Sequence, residues 1–233
     1  MVKDLVTDVN ELSIRAVEWD VLANGQKKSV ELVQDLCDTL ETLDDRLFLT
    51  ANQIGHKERA FAIKFKDETE VFMNPAIQSK DKLIIYREED PLTGKEYFIP
   101  RFTQISLVFQ DCLGKVRGLK MNEAASIIVC QAMDALNGIL ISDYGLEVLP
   151  EFDSASEEEK KEVLSMYAES LSQAYKELDA DLSNNEETKK TWGAAKFIKS
   201  VSEGETKLEE KPLSNRKKKK LKKFLKLFGK KVK

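Results

Sequence analysis

The chain has 233 residues, 42% of them apolar, and a formal net charge of −4, enough apolar material for one domain with an appendage or two small domains around a sizeable core. No apolar run approaches the roughly 20 residues that cross a bilayer, and the opening MVKDLVTDVNE is too acidic for a secretory signal, so a cytosolic protein is expected. The small net charge hides a polarity: residues 214–233 carry eleven Lys or Arg and no Asp or Glu, leaving 26 basic against 41 acidic residues, or −15, before them.

Residues 1–24 give little periodic signal, although the alternation in IRAVEWDV (14–21) permits a short strand. Val30, Leu32, Val33, Leu36, Cys37, Leu40 and Leu43 recur at steps of three and four, which predicts an amphipathic helix over 30–43. Five short apolar or β-branched segments follow, at 48–53, 60–65, 70–73, 83–86 and 104–110, separated by Gly, Asn, Pro and charged clusters; these read as strands. Cys37, Cys112 and Cys130 show no C-x-x-C spacing and are expected as free, at least partly buried thiols.

Helical spacing returns over 122–137 through Ala125, Ile128, Val129, Met133 and Leu136, with Asn122 as N-cap, Glu123 in the first turn and Gly138 as the stop. Its core, IIVCQAMDALNGIL, has the layout of a metal-binding H-E-x-x-H helix without the chemistry: the five places read Gln131, Ala132, Met133, Asp134, Ala135. One histidine, His56, is present in the whole chain, so one copy cannot build a two-histidine site. Past Pro150, DSASEEE is an acid-first helix start leading to Val163, Leu164, Tyr167, Leu171 and Tyr175. A weaker helix covers about 187–201, and 203–213 reads as a flexible linker.

The words LFLTANQIG (47–55), FMNPAI (72–77), EEDPLTG (88–94), IPRFTQISLVFQDCLG (99–114) and CQAMDALNGILISD (130–143) resemble, in order and spacing, the motifs of the peptide deformylases. The resemblance spans about 30–143 and implies an α+β fold of antiparallel strands around a central helix, which removes formyl groups from nascent N-terminal methionine with a metal held by one cysteine and two histidines. Those three ligand positions map to Pro91, Gln131 and Ala135, and the glutamate that handles protons maps to Ala132. Proline and alanine side chains offer no lone pair, and one glutamine amide does not replace a thiolate and two imidazoles. No metal or other cofactor is expected. Phe48 replaces the glycine beside the formyl group and should fill the pocket mouth, and Thr50 replaces a small residue. Gln53 and Leu92 match the groups that aid the oxyanion; the structural use of each is preferred, Gln53 tying strands together and Leu92 supplying an apolar body. Arg101 and Asp134 also match family positions, each expected in a fold-holding ion pair or cap.

His56 should be a solvent-facing turn residue. The run RKKKKLKKFLKLFGKKVK places Leu221, Phe224, Leu225 and Phe228 at helical spacing among Lys217, Lys218, Lys219 and Lys220, a basic amphipathic stripe suited to an anionic surface: acidic protein, RNA or membrane lipid. Lysine dominance argues against sequence-specific DNA reading. An intramolecular contact with the acidic stretch 157–181 is a further option.

The organisation expected is a deformylase-like domain (1–150), a helical extension (151–202), a linker (203–213) and a basic tail (214–233). The function expected is a non-catalytic structural or interaction protein joining a protein assembly, with virion or baseplate assembly in a tailed phage as its setting. The alternative is a ribosome-associated or formyl-peptide-binding module that does not cleave; an active metal-dependent deformylase ranks last.

Overall fold

The computed structural model describes residues 1–20, 26–65 and 68–169. In chain order these form α1 (Val9–Leu12), α2 (Gln26–Glu41), β1 (Phe48–Thr50), a 3-10 turn (Ala51–Ile54), β2 (Ala60–Phe65), β3 (Glu68–Glu89), β4 (Glu96–Gln110) and β5 (Val116–Asn122). There follow α3 (Glu123–Leu136), α4 (Ile141–Tyr144), β6 (Leu146–Glu147) and α5 (Pro150–Asp153), and residues 157–169 are helical as α6. The sheet runs β1-β2-β3-β4-β5, with β6 beside β4. Each strand pair with a defined register is antiparallel. The α+β architecture is the one expected.

Contacts divide the chain into two units, the first comprising Met1–Ile84 and Arg101–Leu140. Strand β2 shows why this unit has a core on both sheet faces. Side chains alternate across a strand: Phe61 and Ile63 join a cluster with Val129, Ala132, Met133 and Leu136 of α3, whereas Ala60 and Ala62 join one with Leu32, Leu36 and Leu40 of α2. Small residues on one face and large on the other set how closely each helix approaches. Phe61 stacks on Phe72, and Phe72 packs against Phe109, ring centroids 4.8 and 4.6 Å apart. In the second unit, Ile85–Pro100 and the chain from Ile141, the cluster is Phe98, Phe152, Val163 and Tyr167; the Tyr167 hydroxyl donates to the Phe98 carbonyl at 3.2 Å.

Several elements differ from the sequence expectation. No strand forms at 14–21, where the described residues hold an isolated bridge, Val17 to Glu58. A side chain takes the place of a strand partner: Trp19 N–H donates to Asn74 Oδ1 at 2.7 Å, and Asn74 Nδ2 donates to the Trp19 carbonyl at 2.6 Å. The segment 48–53 leaves the sheet at Thr50, and 70–73 and 83–86 are parts of one long β3. Strand β5 leaves no strand signal in the sequence, because six of its seven residues are exposed and carry no alternating apolar pattern. Helix α2 starts and stops earlier than its apolar stripe, and Val30, placed on that stripe, is exposed. Asn122 occupies the N-cap of α3 without a side-chain cap bond, and Gly138 ends it at φ +69°. The last helix begins after Asp153, at a capping box in which Ser156 N–H donates to Glu159 Oε2 (3.2 Å) and Glu159 N–H to Ser156 Oγ (3.4 Å). The three cysteines are free thiols. No helix of the described residues is long and apolar enough to cross a membrane.

Candidate functional site

In the first unit, α3 brings Gln131, Ala132 and Ala135 onto neighbouring turns. Ala132 is fully enclosed in the α3 core cluster, while Gln131 and Ala135 are half-buried. The Ala135 carbonyl accepts a hydrogen bond from Asn52 Nδ2 at 2.8 Å, joining α3 to the 3-10 turn. Within that turn Gln53 Oε1 accepts from Thr50 N–H at 2.9 Å. The retained glutamine therefore caps its own turn rather than tying two strands. The reciprocal arm, Gln53 N–H toward Thr50 Oγ1, is looser than a hydrogen bond; Thr50 Oγ1 and Asn52 Oδ1 are buried with no hydrogen-bond partner among the described residues. Phe48 packs its half-buried ring against the α3 cluster.

Arg101 on β4 is buried, and its NH1 group donates to Asp134 Oδ2 on α3 at 2.6 Å. The two residues singled out separately thus pair with each other across 33 positions, which their spacing did not show.

The second unit holds Pro91 and Leu92 in the turn from Asp90 to Lys95, closed by Asp90 N–H donating to the Lys95 carbonyl at 2.7 Å. Asp90 is buried, and its carboxylate accepts from Leu92 N–H at 3.0 Å and from the Thr93 hydroxyl at 2.8 Å. The amide that an oxyanion would use is occupied by this Asx turn. Leu92, expected to serve through its apolar body, is exposed. An aspartate two residues before the leucine in D-P-L-T-G was the readable signal.

His56 is not a solvent-facing turn residue. Its Nε2 lies 3.3 Å from Asp35 Oδ2 and its Nδ1 3.5 Å from Glu58 Oε2, with 29% of the side chain exposed. Asp35 also meets Lys3 Nζ at 3.1 Å and the α-ammonium of Met1 at 2.8 Å. Burial pushes the Asp35 carboxyl up, but the α-ammonium, Lys3 and His56 outweigh it and hold the group below the usual carboxylate range. The arrangement is an ion cluster fastening the N-terminal segment to α2. The partners of Asp35 lie 21 to 34 positions from it, beyond local pattern reading.

The residues at the family's ligand positions do not suit its metal. A proline, a primary amide and an alanine supply one weak neutral oxygen donor among three side chains, and among the described residues no three His, Cys, Asp or Glu side chains are grouped to hold an ion. The tail residues Lys217, Lys218, Lys219, Lys220, Leu221, Phe224, Leu225 and Phe228 lie outside the described residues, as do the second predicted helix and the linker.

The polypeptide deformylase family model matches residues 3–148. The chain belongs to the peptide deformylase family. The match includes the N-terminal segment before residue 30, where no motif was read. Among curated relatives, the peptide deformylase of Pelagibacter ubique (strain HTCC1062) is 29% identical over 150 residues, covering 61% of this chain and 86% of that protein. Peptide deformylase 2 of Vibrio cholerae is 28% identical over 118 residues, covering 48% and 70%. Among solved structures, a class I type b peptide deformylase from Acinetobacter baumannii superposes with a TM-score of 0.56 at 17% identity, over 61% of this chain and 99% of that one. A probable peptide deformylase from Synechococcus phage S-SSM7 does so with 0.54 at 23%, over 61% and 97%. At those identities the structural likeness speaks for the fold.

Proposed function

We propose that this deformylase-family chain is non-catalytic and serves as a structural or interaction module. The observation that carries the reading is the fate of α3: the position of the family's general base is Ala132, sealed in the core, and the two ligand positions beside it are Gln131 and Ala135. Without the carboxylate, even a borrowed cation would lack a proton shuttle. The Asp90 carboxylate on Leu92 N–H supports it further, since that backbone amide already has an intramolecular partner.

The basic, amphipathic residues 214–233 supply the partner contact in this proposal, with an acidic protein surface, RNA or anionic lipid as the counterpart. The assembly is a virion or baseplate in a tailed phage, or otherwise a cytosolic particle. A module that binds formyl peptides at the ribosome without cleaving them is the alternative, favoured by the family fold and the basic tail and opposed by the Phe48 ring.

Incubating the full chain with a formyl-methionyl peptide and iron, zinc or nickel should give no turnover above metal alone; metal-dependent deformylation would overturn the reading. Calorimetric binding of that peptide without turnover would select the alternative. Sedimentation of the full chain and of a chain truncated after Leu213 from native cells should show the full chain in a heavy particle and the truncated chain released.

A further inference from the structure

Strand β5 ends the sheet, and among the described residues nothing pairs with its outer side. The direction of its free backbone groups follows from the hairpin that precedes it. Asp111 N–H donates to the Lys115 carbonyl at 3.0 Å, so this directly opposed pair is hydrogen-bonded. Antiparallel pairs alternate between bonded and unbonded. With Phe109 opposite Arg117, Leu107 opposite Leu119 and Ile105 opposite Met121, the inward-bonded residues of β5 are 117, 119 and 121. The N–H and C=O groups of Val116, Gly118 and Lys120 point away from the sheet.

Three features separate this edge from one merely guarded against association. Edges are guarded by shortness, bulges, cover, proline or charged side chains, lysine above all; β5 is seven residues long, pairs in continuous register and contains no proline, and its lysines repel a like-charged strand while leaving an acidic one free to add. It also exposes Val116 (63%) and Leu119 (39%), which lie on opposite faces, with Leu113 (59%) at the hairpin tip. Finally, its charge is opposite to that of the body: Lys115, Arg117 and Lys120 stand on a molecule whose first 213 residues sum to −15. Asp111 neutralises Arg117, with Oδ2 2.9 Å from both Nε and NH2, which leaves Lys115 and Lys120 as the exposed cations.

We propose that β5 is a docking edge for an acidic, extended segment of a partner protein, which adds as a further strand by bonding the outward groups of Val116, Gly118 and Lys120 and setting carboxylates against Lys115 and Lys120. Strand addition of this kind draws affinity from main-chain bonds and specificity from alternate side chains. A second copy of β5 would have to pair through the same outward groups, with Gly118 opposite Gly118 and Val116 opposite Lys120, which sets no carboxylate against Lys115 or Lys120 and leaves glycines with no side chain to pack at the centre.

The test is hydrogen exchange on the full chain with a seven-residue extended peptide alternating glutamate and valine, and with its lysine–valine counterpart. The acidic peptide should slow exchange of the Val116, Gly118 and Lys120 amides by about tenfold or more, and the basic peptide should not. Lys120→Pro, which removes an outward N–H but no bond to β4, should abolish the protection. Should that variant unfold, the double variant Lys115→Glu/Lys120→Glu serves, and it should reverse the preference between the peptides. Absence of protection at the three amides, equal protection by both peptides, or a concentration-dependent dimer that Lys120→Pro dissolves would each overturn the proposal.

Discussion

Ala132 has no exposed surface and lies among Val129, Met133 and Phe72, so returning the family's carboxylate to this position alone would bury it without a partner. Ala132→Glu adds volume to a packed core, costing about 1–3 kcal/mol, and the carboxyl would escape the charge penalty only by taking up a proton. The variant should lose about 2 kcal/mol or more in urea unfolding and still show no deformylation. Asp134 presents the opposite case, a charge whose removal does the harm. Arg101 is buried, and Asp134 Oδ2 receives its NH1 group at 2.6 Å. Removing one member of a buried pair costs about 3–5 kcal/mol because the other stays behind; with Asp134 a quarter exposed, Asp134→Ala should fall at the lower end. Asp134→Asn, which keeps a hydrogen-bond acceptor, should cost less, and urea midpoints for the two variants separate charge from geometry.

At the level of elements, α3 and β2 were legible because their side chains sort by period. Every third or fourth residue of α3 enters one cluster, and alternate residues of β2 enter two. The N-terminal segment and β5 were not legible. The first is held by side chain to backbone bonds with residues far along the chain, and the second is exposed. Gly138 was readable as a helix stop, yet part of its reason lay outside the pattern. Its φ of +69° favours glycine, and a Cβ there would stand 2.3 Å from the Ser13 carbonyl oxygen. The same junction carries Ala16 N–H to the Leu136 carbonyl at 2.8 Å. Gly138→Ala should therefore act on two elements at once, lowering stability by more than about 1 kcal/mol and loosening residues 13–17. Limited proteolysis should cut first in that segment, while the amides of β2 keep their exchange protection.

Across the whole molecule, the order of the words NQIG, NP and DALNGIL was enough to indicate the architecture, because each names a backbone junction that the fold reuses. The long-range ion pairs were not legible, since Asp35 with His56 and Arg101 with Asp134 join elements that only the fold brings together. Paired aspartates set the expected response to acid, among them Asp35, Asp111 and Asp153. Asp35 is pushed up by burial but held below the usual carboxylate range by the α-ammonium, Lys3 and His56; Asp111 is likewise raised by burial and lowered further by Arg117 and the Lys115 and Leu113 amides. Asp153 is lowered by its hydrogen bond to Arg87. A carboxyl with a depressed folded pKa binds fewer protons folded than unfolded, so it contributes stability above its unfolded pKa and loses it as pH falls through the folded one. With the ordinary value at 3.8, the three contribute fully near neutrality, and the loss begins around pH 4 and continues below it. The urea midpoint should fall along that limb. Asp35→Asn should lower the midpoint at neutral pH and flatten the acid limb, because the group that would have taken up the proton is gone. A limb of unchanged slope in that variant would assign the acid sensitivity to the remaining carboxylates and remove the Asp35 cluster from the account.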